Sequence, residues 1–265
     1  MKLLELTPRL KAIADWIPQG AAFADIGTDH AWLPIWLIQN NRVRRCIASD
    51  INSKPLRQAR ENARKCLFNQ FDNAEADSEN QKKRRLMQFR LCDGLSGFRP
   101  GEIDIIVIAG MGGENIADIL KRAPWTCDKK YKLLLQPMTR PEALRRFLSD
   151  YNYQITREKL VPDRGILYPV IEVTAGREIL SAGQCYGGVK LLHDPLENQY
   201  LIEIIIRLQN AVAGLNHAAR DKNNLDKNPE KLAYLRDILT ELYAMREEWR
   251  HANADFDSNA NANAK

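Results

Sequence analysis

Acidic residues follow three of the apolar runs that predict buried strands in this sequence. The runs end in Asp25-Ile26-Gly27-Thr28-Asp29, in Ala48-Ser49-Asp50 and in Cys92-Asp93-Gly94. Because parallel strands open their carboxyl ends onto one edge of a sheet, we expect the acids to share a nucleotide-type site there. Gly27 lets a ligand approach the backbone, since glycine has no Cβ.

Asp50 lies 23 positions after Gly27, near the spacing at which a carboxylate accepts hydrogen bonds from ribose hydroxyls. Taken alone, an acidic helix cap before Ile51 explains Asp50 equally well. Asp93 adds a further acid at the same edge. One carboxylate for a ribose and a later one near an adenine is the arrangement expected for S-adenosylmethionine. An NAD-type site requires three glycines in the first loop, which this chain does not have.

The loops after the fourth and fifth predicted strands reach the same edge of the sheet. They read Ala109-Gly110-Met111-Gly112-Gly113-Glu114 and Leu135-Gln136-Pro137-Met138-Thr139-Arg140. Three glycines in four positions predict an open floor on which a second substrate can press against the cofactor. A tight turn between strand and helix explains the same glycines, and both explanations can hold.

No pattern of histidine, serine or cysteine predicts nucleophilic catalysis or a metal site. His30 adjoins Asp29, but adjacent side chains rarely form a useful hydrogen bond, so a position at a helix start is the simpler explanation. His193, His217 and His251 lie outside the loops at the sheet edge. The five cysteines are odd in number and form no C-x-x-C pair, which predicts a reducing cytoplasm, no zinc and no disulfide framework.

Apolar runs alternate with helical patterns through the N-terminal half of the chain. Strands are predicted at 22–26, 45–49, 86–91, 103–109 and 131–136, and helices at about 5–16, 31–39, 54–66, 114–121 and 140–149. This alternation predicts an α/β fold with a mostly parallel sheet. Two further alternating runs, 154–161 and 166–174, predict an antiparallel hairpin that closes the sheet. Pro169 in the second run predicts an edge position or a bulge.

From residue 194 onward, the periodicity predicts two long amphipathic helices. Apolar residues recur at spacings of three and four, at Leu201, Ile204, Leu208, Ala211 and Leu215 and again at Leu232, Leu235, Leu239 and Leu242. Such helices form an antiparallel hairpin resembling a coiled coil. The predicted organisation is a cofactor-binding domain at 1–175, a linker at 176–193, the helical hairpin at 194–253 and a disordered tail at 254–265.

The charge of the chain is unevenly distributed. Residues 1–175 contain 28 Lys and Arg against 21 Asp and Glu (+7), whereas residues 176–265 contain 11 against 13 (−2). The positive part suits a polyanionic partner, although an ordinary charged surface explains it at least as well. The basic run at 82–85 belongs to a polar surface excursion at 68–85, where a solvated loop is a better explanation than a phosphate contact. No apolar stretch is long enough to span a bilayer, so no membrane partner is predicted.

Taken together, these segments resemble the bacterial TrmK family of tRNA (adenine(22)-N1)-methyltransferases over the whole chain. The resemblance is carried by Asp25 to Ala31, Ala48 to Ile51, Asp93 to Leu95, Ala109 to Glu114 and Leu135 to Met138, with Cys185 to Gly188 leading into the helical hairpin. It implies a class I (Rossmann-like) methyltransferase domain at 1–175, S-adenosylmethionine as the cofactor and tRNA as the substrate.

The resemblance also implies roles for particular residues. The cofactor-binding set is Asp25, Gly27, Thr28, His30, Asp50, Ile51, Asp93, Gly94, Ala109 and Gly110. The substrate-binding set is Met111, Gly112, Gly113, Gln136, Pro137 and Arg140. Adenine N1 already carries a lone pair, so the reaction needs positioning more than a general base, and a carboxylate can stabilise the charge of the methylated ring. Asp29, between the cofactor loop and the substrate floor, is the predicted catalytic residue.

The role of the helical hairpin stays open at this point. Four arginines around the rim are candidates for phosphate contacts, namely Arg57, Arg60, Arg140 and Arg145. The alternatives are a small-molecule or other RNA methyltransferase that dimerises through the hairpin, and a non-catalytic RNA-binding protein. A monomer or a weak homodimer is predicted.

Overall fold

The computed structural model describes residues 4–67, 86–220 and 228–254, which form a seven-stranded sheet flanked by helices. The strands are β1 (Ala21–Ile26), β2 (Val43–Asp50), β3 (Met87–Leu91), β4 (Ile105–Gly112), β5 (Lys132–Thr139), β6 (Tyr153–Asp163) and β7 (Ile166–Ala175). Their order is β3-β2-β1-β4-β5-β7-β6. Strands β1 to β5 pair in parallel, and β7 runs antiparallel to both β5 and β6. This confirms the predicted parallel sheet with a closing hairpin.

The helices lie close to their predicted positions, except for a short one inside the predicted linker at 176–193. They are α1 (Pro8–Trp16), α2 (Trp32–Gln39), α3 (Ser53–Leu67), α4 (Gly113–Lys121), α5 (Pro141–Asp150), α6 (Ala182–Gly187), α7 (Glu197–Arg220) and α8 (Pro229–Ala252). The two long helices of the predicted hairpin are therefore present, and α7 packs against α8. The predicted excursion at 68–85 and the predicted tail from 255 onward lie outside the described residues.

Helices cover both faces of the sheet, which explains why its central strands are nearly continuous in apolar residues. Every residue of β1 is buried. Neighbouring residues of a strand point to opposite faces, so Leu133 and Leu134 of β5 belong to two different apolar clusters. The cluster with Leu134 includes residues of α1, α2 and α3, and the cluster with Leu133 includes residues of α4 and α5. The sheet is thus fixed from both sides, which holds its loop-bearing edge rigid.

The sequence predicted an edge position or a bulge at Pro169; β7 is not the edge strand of the sheet, and its pairing with β6 shows no bulge at Pro169. Strand β7 lies between β5 and β6, and β6 forms the edge. Pro169 pairs with Leu160 of β6, but the pairing of β7 with β5 ends at Ile171, opposite Leu135. The proline is tolerated because β7 has already left the β5 ladder at that position.

Arg145 is fully buried at the junction with the helical part, so the predicted phosphate contact was wrong. Its Nε donates to Glu158 Oε1 at 2.7 Å, and its Nη1 donates to the carbonyl oxygens of Cys185 at 2.9 Å and Tyr186 at 3.2 Å. A buried guanidinium is stable only with such partners. Arg145 therefore ties α5 and β6 to the segment that leads into α7.

Candidate functional site

Two cavities open beside the carboxyl ends of β1 and β4, and Gly27 lines both of them. The larger cavity has a volume of about 390 Å³ and is lined by Asp50, Ile51 and Asp93, among others. The smaller cavity has a volume of about 210 Å³ and contains Asp29. Gly27 has a φ of +70°, and a Cβ there would lie 2.1 Å from the Cε of Met111. Only glycine fits at this meeting point.

The larger cavity combines a fixed carboxylate with an exposed apolar side chain. Asp50 is 8% exposed, and its Oδ1 accepts a hydrogen bond from the backbone N–H of Asn52 at 2.8 Å. The next residue, Ile51, is 59% exposed although it is apolar. An exposed apolar side chain beside a held carboxylate suits a ligand with a flat ring and adjacent hydroxyl groups.

Asp93 also lines the larger cavity, but Arg122 of the segment after α4 occupies its carboxylate. Arg122 Nη1 donates to Oδ2 at 2.5 Å and Nη2 donates to Oδ1 at 3.1 Å. These hydrogen bonds from Arg122 lower the pKa of Asp93. Asp93 therefore lies where the sequence placed it, and its charge has a partner that the sequence did not indicate.

Asp25 lines the smaller cavity next to Gly27 and is the most perturbed acid of the site. Burial raises the pKa of this carboxyl group to about 6. The Thr28 hydroxyl opposes that shift by donating to Asp25 Oδ2 at 2.6 Å, whereas the charge of Asp50 adds to it. A buried carboxylate with one hydroxyl donor is incompletely compensated, so a cation bound beside it would stabilise its charge.

The smaller cavity is bordered by a loop with unusual backbone angles. Asp29 and Ala31 have φ values of +49° and +57°, although neither is glycine. The loop is held by a hydrogen bond from Thr28 N to the Ser49 carbonyl at 2.8 Å and by one from Asn62 Nδ2 to the His30 carbonyl at 3.1 Å. Non-glycine residues in this conformation are uncommon and cluster at functional sites.

The side chains of this loop face solvent and the cavity. The Asp29 side chain is 67% exposed, and its Oδ2 lies 3.5 Å from His30 Nε2. The rings of His30 and Trp32 stack with centroids 5.8 Å apart, and both residues line the smaller cavity. The cavity therefore offers an accessible carboxylate close to two planar rings.

Gln136 lines the smaller cavity, but its side chain is engaged within the protein. Its Oε1 accepts hydrogen bonds from the backbone N–H of Gly110 at 3.2 Å and from Arg9 Nη1 at 3.1 Å, and its Nε2 donates to the Pro137 carbonyl at 3.0 Å. Arg9 also donates to Asp163 Oδ2 at 2.6 Å. Gln136 thus fixes the Gly110 turn, and Arg9 links it to the β6–β7 hairpin.

Several residues predicted for the substrate lie outside the smaller cavity. Met111 lines the larger cavity, whereas Pro137 and Arg140 line a separate cleft. Strand β4 continues through Gly112, so the expected loop is a strand with shifted register. Gly113 is buried, and a Cβ there would lie 2.3 Å from the Arg140 carbonyl oxygen. Gly113 therefore serves close packing against the backbone of Thr139 and Arg140.

The residues that line the cavities without having been indicated by the sequence include Arg9, Trp32, Asn115 and Arg122. Trp32 has a local signal, because a large aromatic residue follows directly on the polar loop. Arg9 has none, since its partner Gln136 is 127 positions away in the chain. Arg122 belongs to the turn after α4, and nothing nearby in the sequence marks it as a partner of Asp93.

Metal-binding and membrane-spanning features are absent from the three described ranges. No three His, Cys, Asp or Glu side chains there are placed to hold a metal ion, and all five cysteines are free. None of the helices in those ranges is both long and apolar enough to cross a membrane.

Comparison with known proteins identifies relatives of this chain. A family model described as "Methyltransferase domain" matches residues 6–171. The tRNA (adenine(22)-N(1))-methyltransferase of Bacillus subtilis (strain 168) is 32% identical over 201 residues, which cover 76% of each chain. The crystal structure of the B. subtilis M1A22 tRNA methyltransferase TrmK superposes with a TM-score of 0.76 at 27% identity, covering 92% of this chain and 99% of that one. Streptococcus pneumoniae Sp1610, solved in complex with S-adenosyl-L-methionine, gives a TM-score of 0.72 at 27% identity, covering 91% and 100%.

Proposed function

This chain belongs to the family of tRNA (adenine(22)-N1)-methyltransferases, and we propose that it methylates N1 of adenosine 22 in tRNA with S-adenosylmethionine as donor. The observation that carries the proposal is the pair of cavities that meet at Gly27. One cavity suits a nucleoside, and the other holds an accessible carboxylate. Two ligands bound side by side across Gly27 is the arrangement that a group transfer requires.

The residues of the larger cavity fit the adenosyl part of this cofactor. We assign Asp50 to the ribose hydroxyls and the exposed Ile51 to the face of the adenine ring. Asp25 suits the cationic end of the cofactor, because binding a positive charge there compensates a buried carboxylate. When bound, S-adenosylmethionine supplies a methyl group attached to a positively charged sulfur atom.

Asp93 needs a different assignment from the one that the sequence implied. Both of its oxygens already accept hydrogen bonds from Arg122, so an adenine amine would have to share one of these oxygens with Arg122 or displace it. The pair is half-exposed, and exposed ion pairs are weak. We propose that Asp93 and Arg122 together form the outer wall of the cofactor site, next to Gly94.

Asp29 is the proposed catalytic residue of the smaller cavity. The N1 lone pair of adenine needs no proton removed, so Asp29 acts by accepting a hydrogen bond from the exocyclic amine and by stabilising the positive charge of the methylated ring. The half-buried ring of Trp32 provides a surface on which the target base can stack after it leaves the RNA helix. Arg9 and Gln136 hold the Gly110 turn opposite the loop.

Incubation with methyl-labelled S-adenosylmethionine and unmodified bulk tRNA tests this proposal. We expect label in 1-methyladenosine after digestion to nucleosides, and in a single position after mapping. A tRNA transcript with guanosine in place of adenosine 22 serves as the matched control and should stay unlabelled. Label in another nucleoside, or equal labelling of the control transcript, would contradict the proposal. The cytoplasmic location and the monomeric or weakly dimeric state remain predictions.

A further inference from the structure

A cleft of about 300 Å³ lies between the methyltransferase sheet and helix α7, and nothing described so far gives it a role. Its walls come from the end of β5, from the first residues of β7 and from one face of α7. Tyr168 and Pro169 contribute from β7, whereas Ile204 and Arg207 contribute from α7. The cleft is therefore formed jointly by the methyltransferase sheet and helix α7.

The cleft adjoins the smaller cavity, and a contact between Arg9 and Tyr168 lies between the two. Arg9 lines the smaller cavity, and its guanidinium lies 5.0 Å from the centroid of the Tyr168 ring, which lines the cleft. Gln136 of β5 lines the smaller cavity, and the next residue, Pro137, lines the cleft. A nucleotide next to a target base in the smaller cavity is therefore within reach of the cleft.

The lining combines planar or apolar surface with two arginines, Arg140 and Arg207, and one acid, Glu203. Tyr168 is half-buried, and Pro169 and Ile204 add apolar wall. Arg207 is exposed, and no carboxylate of the described residues forms an ion pair with it. Arg140 also lines the cleft, although Glu142 and Glu114 hold its guanidinium at 2.8 Å and 3.3 Å. Stacking of bases on aromatic rings together with cations along the backbone is how proteins bind single-stranded nucleic acid.

We propose that this cleft binds a nucleotide flanking the methylated adenosine, with its base against Tyr168 and its phosphate beside Arg207. The inference rests on the proposed function, since it needs an RNA substrate in the smaller cavity. Turning a base out of its stack costs free energy, and capture of the neighbouring base offsets part of that cost. The cleft thereby favours RNA over a free nucleoside.

The first test is steady-state kinetics of Tyr168→Leu and Arg207→Gln with tRNA. Because a lost base stack weakens single-strand binding by about tenfold, we expect the KM for tRNA to rise about tenfold in Tyr168→Leu. The kcat and the affinity for S-adenosylmethionine should stay within about twofold of wild type, since the cleft holds only RNA. Arg207→Gln should reduce the slope of log KM against log salt by about one, as loss of one phosphate contact does.

Matched variants distinguish a loss of nucleotide binding in the cleft from a general loss of structure. Tyr168→Phe keeps the ring and should behave as wild type. Tyr243→Leu and Arg236→Gln change exposed residues of α8 that do not line the cleft, and both should leave the KM for tRNA unchanged. A fall in kcat without a rise in KM in Tyr168→Leu would overturn the proposal, because the ring would then act through Arg9.

Photocrosslinking supplies a readout that does not depend on kinetics. We expect tRNA carrying 4-thiouridine at one of the two positions that flank the methylated adenosine to crosslink to a peptide containing Tyr168 or Arg207. Crosslinks confined to other peptides would contradict the proposal. So would a change in sedimentation mass in Tyr168→Leu with an unchanged KM, which would make the cleft a protein interface. If wild-type protein methylates no tRNA, the proposed function itself fails.

Discussion

The acids around the two cavities that meet at Gly27 are held in two opposite ways. In the larger cavity, Asp50 is buried and Asp93 is bound by Arg122, and Asp25 is buried in the wall of the smaller cavity beside Gly27. In the smaller cavity, Asp29 is two-thirds exposed on a loop with a strained backbone. Fixed carboxylates suit a ligand that binds in one orientation, and a free carboxylate suits a base that must arrive from outside. Binding and catalysis should therefore be separable by mutation.

The sharpest separation is expected from Asp29→Asn. Loss of the charge that stabilises the methylated ring should lower kcat about 100- to 1,000-fold, the size of effect found when a single electrostatic contact to a transition state is removed. The affinity for S-adenosylmethionine, measured by calorimetry, should change less than twofold. Asp128→Asn, which alters an exposed acid before the opposite end of β5, is the matched control. An unchanged kcat in Asp29→Asn would contradict the assignment of Asp29 as the catalytic residue.

The next largest effect is expected in the pH dependence of the free energy of unfolding. Its direction follows from the raised pKa of Asp25. Burial raises this pKa from 3.8 to about 6, so the favourable contribution of the protonated form is complete below 3.8 and is lost as the pH rises through about 6. That loss corresponds to about 3 kcal/mol of unfolding free energy. Asp25→Asn does not titrate, so it should gain stability relative to wild type between pH 4.5 and pH 8, as urea unfolding can measure.

The raised pKa of Asp25 also predicts how cofactor binding depends on pH. Wild-type affinity for S-adenosylmethionine should fall as the pH drops below about 6, because protonated Asp25 no longer attracts a cation. The affinity of Asp25→Asn should be lower at pH 8 and nearly independent of pH. Parallel pH profiles of the two proteins would show that Asp25 does not contact the cationic end of the cofactor.

Asp50→Asn should affect binding and leave catalysis almost intact. Hydrogen bonds to a charged group contribute enough that its loss should raise the Kd for S-adenosylmethionine about 10- to 100-fold. The Asn side-chain oxygen can still accept from the Asn52 N–H, so the loop should keep its shape. With saturating cofactor, the kcat should return to within about threefold of wild type. A kcat that stays low at saturation would place Asp50 in the chemical step.

The smallest effect is expected from Arg122→Gln, which releases Asp93. If Arg122 competes with the adenine amine for Asp93, the variant should bind S-adenosylmethionine about two- to threefold more tightly, as expected for loss of a weak exposed pair. Weaker binding would mean that Arg122 itself contacts the cofactor.

The sequence predicted the parts of this protein that leave a local signal. Apolar runs and helical spacing define the sheet and the helices, and the acids at the ends of β1 and β2 and after β3 were found because they adjoin those runs directly. Arg9 and Arg122 were missed because their partners are distant in the chain, which no spacing rule detects. Arg145 was misplaced for the converse reason. A charged residue in an amphipathic helix predicts exposure, yet Glu158 of β6 makes burial possible.

A crystal structure of this protein with S-adenosylhomocysteine would test most directly that the cofactor binds in the larger cavity and the target base in the smaller one. We predict the nucleoside in the larger cavity, with its ribose hydroxyls on Asp50 and its sulfur next to Gly27, and the smaller cavity left open beside Asp29. A nucleoside bound in the smaller cavity, or in the cleft beside α7, would contradict the account.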